Sequence, residues 1–132
     1  MLNFLVRNAL AEGPSLSLEG RRVIRAIGNK LRLDESPTFD RILSGPAPAS
    51  VQTAELFSDR VDFLGAVEIV PSLAGGVPPQ IVAPALLASG DLIAVVGDEP
   101  SLSALGAFLV GRPTFPPLLH AQISVIEDRR PA

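Results

Sequence analysis

Strand-length apolar runs and helical patterns take turns along the chain, which leaves few architectures open: an α/β layered domain built around a short, mostly parallel sheet. Leu2 to Val6 is apolar apart from Asn3, as a central strand covered on both faces requires. Ser15 or Ser17 can cap a helix running to about Leu31, with Ile24, Ile27 and Leu31 on one face and Arg21, Arg22, Arg25 and Asn29 on the other. Phe39 to Leu43 reads as a second strand, Ser50 to Ser58 as a helix with Val51, Ala54 and Phe57 inward, and Ala66 to Val70 as a third strand. A proline-interrupted helix over Pro79 to Ala88 follows, then a strongly apolar strand over Leu92 to Gly97. The pattern closes with a helix from Pro100 to Val110 stopped by Gly111 and a last strand from about Leu119 to Ile126. No repeat, linker or low-complexity segment divides these elements. The expected organisation is therefore one domain over residues 1–132, a three-layer α/β/α sandwich.

Composition removes several function classes. Hydrophobic residues at 47% and charged residues at 19% describe a folding chain rather than a disordered one. The net charge of −3, with arginines scattered along the sequence, gives no footprint for a nucleic-acid backbone, so no nucleic-acid partner is expected. With no cysteine there is no thiolate nucleophile and no cysteine-bound zinc. The carboxylate pairs Asp34–Glu35 and Asp59–Asp62 have no His or Cys near them in sequence, so neither a metal nor another cofactor is expected. Ile69 to Gly90 is uncharged but cut by Pro71, Pro78, Pro79 and Pro84, which excludes a spanning helix. The opening Met-Leu-Asn-Phe-Leu-Val-Arg-Asn lacks the basic region of an export signal, and a cytoplasmic location is the expectation.

Ligands of such sheets bind in the loops beyond the carboxyl ends of the strands. Here those loops are Arg7–Gly13, Ser44–Ser50 and Gly97–Ser101. Four segments in this order carry a resemblance. FLVRNALA resembles a strand ending in Arg-His-Gly, LSLEGRR a Leu-Thr-x-Glu-Gly-Arg-Arg helix start, ILSGPAPASVQTAE a Ser-Ser-Pro-x-x-Arg-Ala-x-Gln-Thr-Ala-Glu segment, and VVGDEPSLSALGAFLVG a Val-Gly-His-Glu-Pro-x-Leu-Ser helix start. Together they are similar to the histidine phosphatase superfamily, with its phosphoglycerate mutase-like fold, and within it to the small SixA-type phosphohistidine phosphatases.

That family's chemistry uses a neutral imidazole as nucleophile, two guanidinium groups that clamp the phosphoryl oxygens, and a second His that stabilises charge. By the resemblance, Arg7 matches the first arginine. Asn8 stands in place of the nucleophilic His, Ala9 of the glycine, Ala49 of the second arginine and Asp98 of the second His, with Glu99 beside it. A carboxamide nitrogen is not a nucleophile at neutral pH. Loss of the arginine at Ala49 removes a charge-assisted fork worth roughly 1.5–3 kcal/mol. Asp98 sets a negative charge where a dianion would lie. The resemblance thus implies a catalytically inactive, SixA-like pseudophosphatase that binds a protein partner or regulates one. The alternative is a phosphatase acting on phosphohistidine or a small phosphoester by another route, with Asp98 or Glu99 as base for attack by water.

The individual residues leave options open. Asp98 can cap the following helix, pair with Arg7, or do both; Arg7 can be an ion-pair partner or retain weak anion binding. His120 is the sole imidazole and is expected at the start of the last strand, away from the three loops. The apolar stretch around Val77, Ile81, Leu86 and Leu87 is either core or a surface for a partner or a second copy of the chain.

Overall fold

The computed structural model describes residues 2–87 and 90–127. Strand β1 (Leu2–Arg7) lies inside a five-stranded sheet, parallel to β6 (Leu92–Gly97) on one side and antiparallel to β7 (Ile123–Glu127) on the other. Beyond β6 come β4 (Arg41–Ser44) and the two-residue edge strand β5 (Glu68–Ile69), both parallel, giving the order β5-β4-β6-β1-β7. Helices α1 (Leu18–Asp34) and α2 (Pro48–Arg60) cover one face; α3 (Pro79–Leu87) and α4 (Ser101–Val110) cover the other. Among the described residues, no helix is long and apolar enough to cross a membrane.

The period of two along each central strand explains why both faces are dry. Phe4 and Val6, Ile42, Ala94 and Val96 point to the α1–α2 side, where Ile24, Ala54 and Phe57 meet them. Leu5, Leu43, Ile93 and Val95 point to the α3–α4 side, against Val82, Leu86, Leu102 and Leu105. Phe39 sits between Phe4, edge-on at 5.1 Å, and Phe57 at 5.7 Å. That role takes Phe39 out of β4, which starts two residues later than the sequence pattern predicts.

Other boundaries differ as well: β5 is shorter than the expected Ala66–Val70, and α2 extends beyond Ser50–Ser58 at both ends. A small hairpin, β2 (Ala11–Glu12) with β3 (Ser15–Leu16), turns at Gly13 with φ +67° and has no apolar signal of its own. Ser17 caps α1 by accepting the Gly20 N–H at 2.9 Å, and the helix runs past Leu31 to Asp34. The last strand begins at Ile123 rather than Leu119, because the backbone of residues 118–122 bonds to the ends of β1 and β6 instead of to a ladder. The expected helix end at Ala88 lies outside the described residues.

The apolar stretch on α3 resolves mostly as core. Leu86 is fully buried, a correction to its expected place on an interaction surface, and Val77 is half-buried against the same cluster. The expected interruption at Pro84 does not occur: α3 runs through it with the proline on the exposed side, and offers Val82, Ala83 and Leu86 to the sheet face. Of the three whose side chains are described, only Ile81 is exposed, at 63%. The side chain of Leu87 lies outside what is described.

Candidate functional site at the carboxyl edge of the sheet

Register brings the site together. Arg7 is opposite Gly97 in the β1–β6 ladder, and the Asn8 N–H continues it by donating to the Gly97 carbonyl at 2.8 Å. Asp98 and Glu99 therefore emerge beside Arg7 and Asn8, while Ala49 sits in the first turn of α2 above the end of β4.

Arg7 is committed to the protein itself. Its Nη1 donates to the Leu118 carbonyl at 2.7 Å, and its Nε lies 3.5 Å from Asp98 Oδ1. Nε is buried without a hydrogen bond, so the contact to Asp98 is an ion pair and not a fork. The Arg7–Asp98 approach expected from the strand order is present.

Asp98 does not cap α4. Its Oδ1 accepts the neighbouring Glu99 N–H at 2.9 Å, and its side chain is 62% exposed. The N-cap is Pro100, which has no side-chain bond of its own, and the first turn is held instead by Glu99 just before it, whose Oε1 accepts the Ser103 N–H at 2.8 Å while Oε2 accepts the Leu118 N–H at 2.8 Å. One carboxylate thus ties the start of α4 to the segment leading into β7. The sequence signal was available: an acid four residues ahead of Ser103 can reach the first-turn amides as readily as the one before it.

Asn8 is 4% exposed, and its side-chain oxygen is buried with no hydrogen-bond partner among the described residues. Its backbone carbonyl accepts the Ala121 N–H at 3.1 Å and lies 3.2 Å from His120 Nδ1. His120 is therefore at the site and not away from it. An antiparallel last strand must begin at the edge where β1 ends, so the segment before β7 crosses over Arg7 and Asn8. Ala121, at φ +61°, makes that crossing in a left-handed conformation.

The supporting shell is local. Thr53 Oγ1 accepts the Ala9 N–H at 3.1 Å and donates to the Ala49 carbonyl at 2.7 Å, and Ser44 Oγ donates to the Gly45 carbonyl at 2.8 Å. Ala49 itself is half-buried against the α1–α2 core. A cleft of about 410 Å³ opens between the ends of β4 and β6, lined by Asp98 and Glu99 but not by Arg7, Asn8 or Ala49. A larger cleft of about 510 Å³ lies at the opposite edge of the sheet, around Arg32, Phe39, Asp62 and Phe63, and holds none of the expected site residues.

Solved structures share this fold. The protein histidine phosphatase SixA complexed with tungstate superposes with a TM-score of 0.86 at 22% identity, covering 96% of this chain and 88% of that one. The chain has the SixA phosphatase fold. A mycobacterial glucosyl-3-phosphoglycerate phosphatase superposes with a TM-score of 0.73 at 13% identity, over 96% of this chain and 90% of that one. The phosphoglycerate mutase of Plasmodium falciparum gives 0.67 at 18% identity, over 85% and 70%. No protein-family model and no curated protein matches the sequence. A SixA-like scaffold here carries a carboxamide, an alanine and a carboxylate at three positions where the resemblance calls for cationic or nucleophilic side chains.

Proposed function

We propose that this chain is a catalytically inactive, SixA-like pseudophosphatase that serves as a protein-binding or regulatory module. The observation that carries the reading is Asn8: a buried carboxamide at the end of β1, where the resemblance places the nucleophile. The carboxamide of Asn8 offers no electron pair that attacks phosphorus, so this residue supplies no first step for a phosphoenzyme. Arg7 supports the same reading, since a phosphoryl group would have to displace the Leu118 carbonyl and the Asp98 carboxylate from it. A route through Glu99 as base is disfavoured because both of its oxygens already accept backbone amides, which leaves Asp98 as the carboxylate the alternative would use.

The test is turnover of p-nitrophenyl phosphate and of a phosphohistidine protein, with vanadate titration in parallel. The expected result is no hydrolysis above buffer. Hydrolysis that survives repurification and disappears in Asp98→Ala would overturn the reading in favour of the phosphatase.

A further inference from the structure

The two edges of the five-stranded sheet are unlike. At one end β5 has only two residues, and its Glu68 pairs with Arg41 of the neighbouring strand at 3.6 Å. Short length and charge are how sheets keep an edge from pairing with other chains. At the other end β7 has five residues, Ile-Ser-Val-Ile-Glu, with no proline, lysine or arginine and an unbroken register against β1. No described strand lies beyond it.

Backbone geometry fixes what that edge offers. The Arg7 N–H donates to the Gln122 carbonyl at 3.0 Å, so by the alternation of an antiparallel ladder Ser124 and Ile126 are the residues that bond to β1. The N–H and C=O groups of Ile123, Val125 and Glu127 therefore point outward. Val125 stands opposite Phe4 and so projects on the α1–α2 side, where it is 52% exposed. Ile123, on the same side, lines a groove of about 310 Å³ with Ile27 and Leu31 of α1 and with Lys30, Asp34 and Glu35.

We propose that β7 pairs antiparallel with β7 of a second copy of the chain, about a two-fold axis at Val125, joining the two sheets into one. Register selects this occupant. With Val125 opposite its own copy, Ile123 of each strand falls opposite Glu127 of the other, so every outward-facing residue of both strands exchanges hydrogen bonds. A shift of two residues either way carries one outward residue of each strand past the end of the other. The register also keeps Glu127, the one charge in β7, from facing itself. It comes instead beside the groove of the second copy, where Asp34 and Glu35 outweigh Lys30, so association should tighten as salt screens that repulsion. The apolar grooves of the two copies lie on the same side of the joined sheet, with the paired Val125 side chains between them. Two five-residue strands and the α1 residues beside them cover less than the roughly 1,200–2,000 Å² of a stable complex, so the dimer forms at high concentration.

Sedimentation velocity on the intact chain, from about 10 μM to about 1 mM, reads the association. The mass is expected to rise toward that of a dimer with concentration, and to rise further at higher salt. Val125→Pro removes an outward N–H that the fold does not use, and Val125→Lys sets two like charges opposite each other. Each is expected to weaken association about tenfold or more, with circular dichroism reporting separately that the variant is folded. The chain has no cysteine, so single cysteines read the register. Val125→Cys should give a disulfide-linked dimer on mild oxidation, because a hydrogen-bonded pair holds its Cα atoms about 5.5 Å apart. Glu127→Cys, whose two copies lie roughly 13 Å apart in this register, and Ile69→Cys on the other edge should not. A chain that stays monomeric throughout overturns the proposal, as does association that both Val125→Pro and Val125→Lys leave intact. Cross-linking at residue 127 or 69 as strong as at 125 overturns it too.

Discussion

Replacing Glu99 with alanine removes a carboxylate that accepts backbone amides from two chain segments at this edge. Its oxygens accept the Ser103 and Leu118 N–H groups, both at 2.8 Å. A hydrogen bond to a charged group contributes about 1.5–3 kcal/mol. Glu99 is only half-buried, so water takes over part of each bond in the variant, and the expected loss is about 2–4 kcal/mol in all. Leu118 amplifies the effect: its side chain is 1% exposed in the α3–α4 core and its carbonyl holds Arg7, so a loosened backbone there disturbs both. The assay is urea unfolding followed by circular dichroism, with the midpoint expected to fall by about 1–2 M, together with amide exchange at Leu118. Glu99→Gln keeps one acceptor and should lose about half as much. If Glu99→Ala unfolds within about 0.5 kcal/mol of the parent and the Leu118 amide exchanges no faster, the carboxylate is not what joins α4 to the crossing segment.

Gly20→Ala is expected to destabilise by about 3 kcal/mol or more, since a Cβ there would lie 2.1 Å from the Leu10 carbonyl oxygen, a backbone atom that cannot step aside; thermal unfolding checks it. Leu86→Asp should fail to fold, whereas Ile81→Asp should leave the melting temperature within a few degrees of the parent; loss of a partner or of self-association in Ile81→Asp, read by light scattering or pull-down, would locate an interface on α3. Asn8→His alone should give no phosphatase activity, because the second arginine and second His are also absent and such residues act as a unit; robust activity from that single change would show the dependence on Ala49 and Asp98 to be overstated.

Much of the fold was readable because both faces of the sheet are buried. The unbroken apolar run of Leu92 to Gly97 admits little except a central strand, and its bounds agree with the structure. Where burial is one-sided or absent, the signal fades: β5 has two exposed residues, β2 has two more, and β3 is only two residues long, held by the buried Leu16 and by the distant Gln52 side chain, which no local pattern encodes. Site residues were legible by position but not by partner. Arg7 and Asp98 meet as the strand order requires. Yet the choice of Glu99 over Asp98 to hold the first turn of α4, and of Leu118 as acceptor for Arg7, depends on where a proline-rich segment crosses, which no local periodicity encodes. Leu86 was misplaced for a related reason. On a short helix that is apolar nearly all round, sequence alone does not separate the buried side of Val82, Ala83 and Leu86 from Ile81.

The position of β1 has a consequence during synthesis. Its ladder partners are far downstream: Leu2 lies opposite Leu92 in one neighbour and Glu127 in the other. At a translation rate of about 5–20 residues per second, the segment Leu-Asn-Phe-Leu-Val-Arg leaves the ribosome roughly 5 to 18 seconds before the first of these edges exists to receive it. Throughout that interval an apolar strand with unsatisfied backbone groups is available to chaperones and to other nascent chains. Closing contacts of such high sequence separation is also the slow part of folding. Polar substitutions tolerated in β1 by the finished protein should accordingly change its yield in cells more than its stability in the tube.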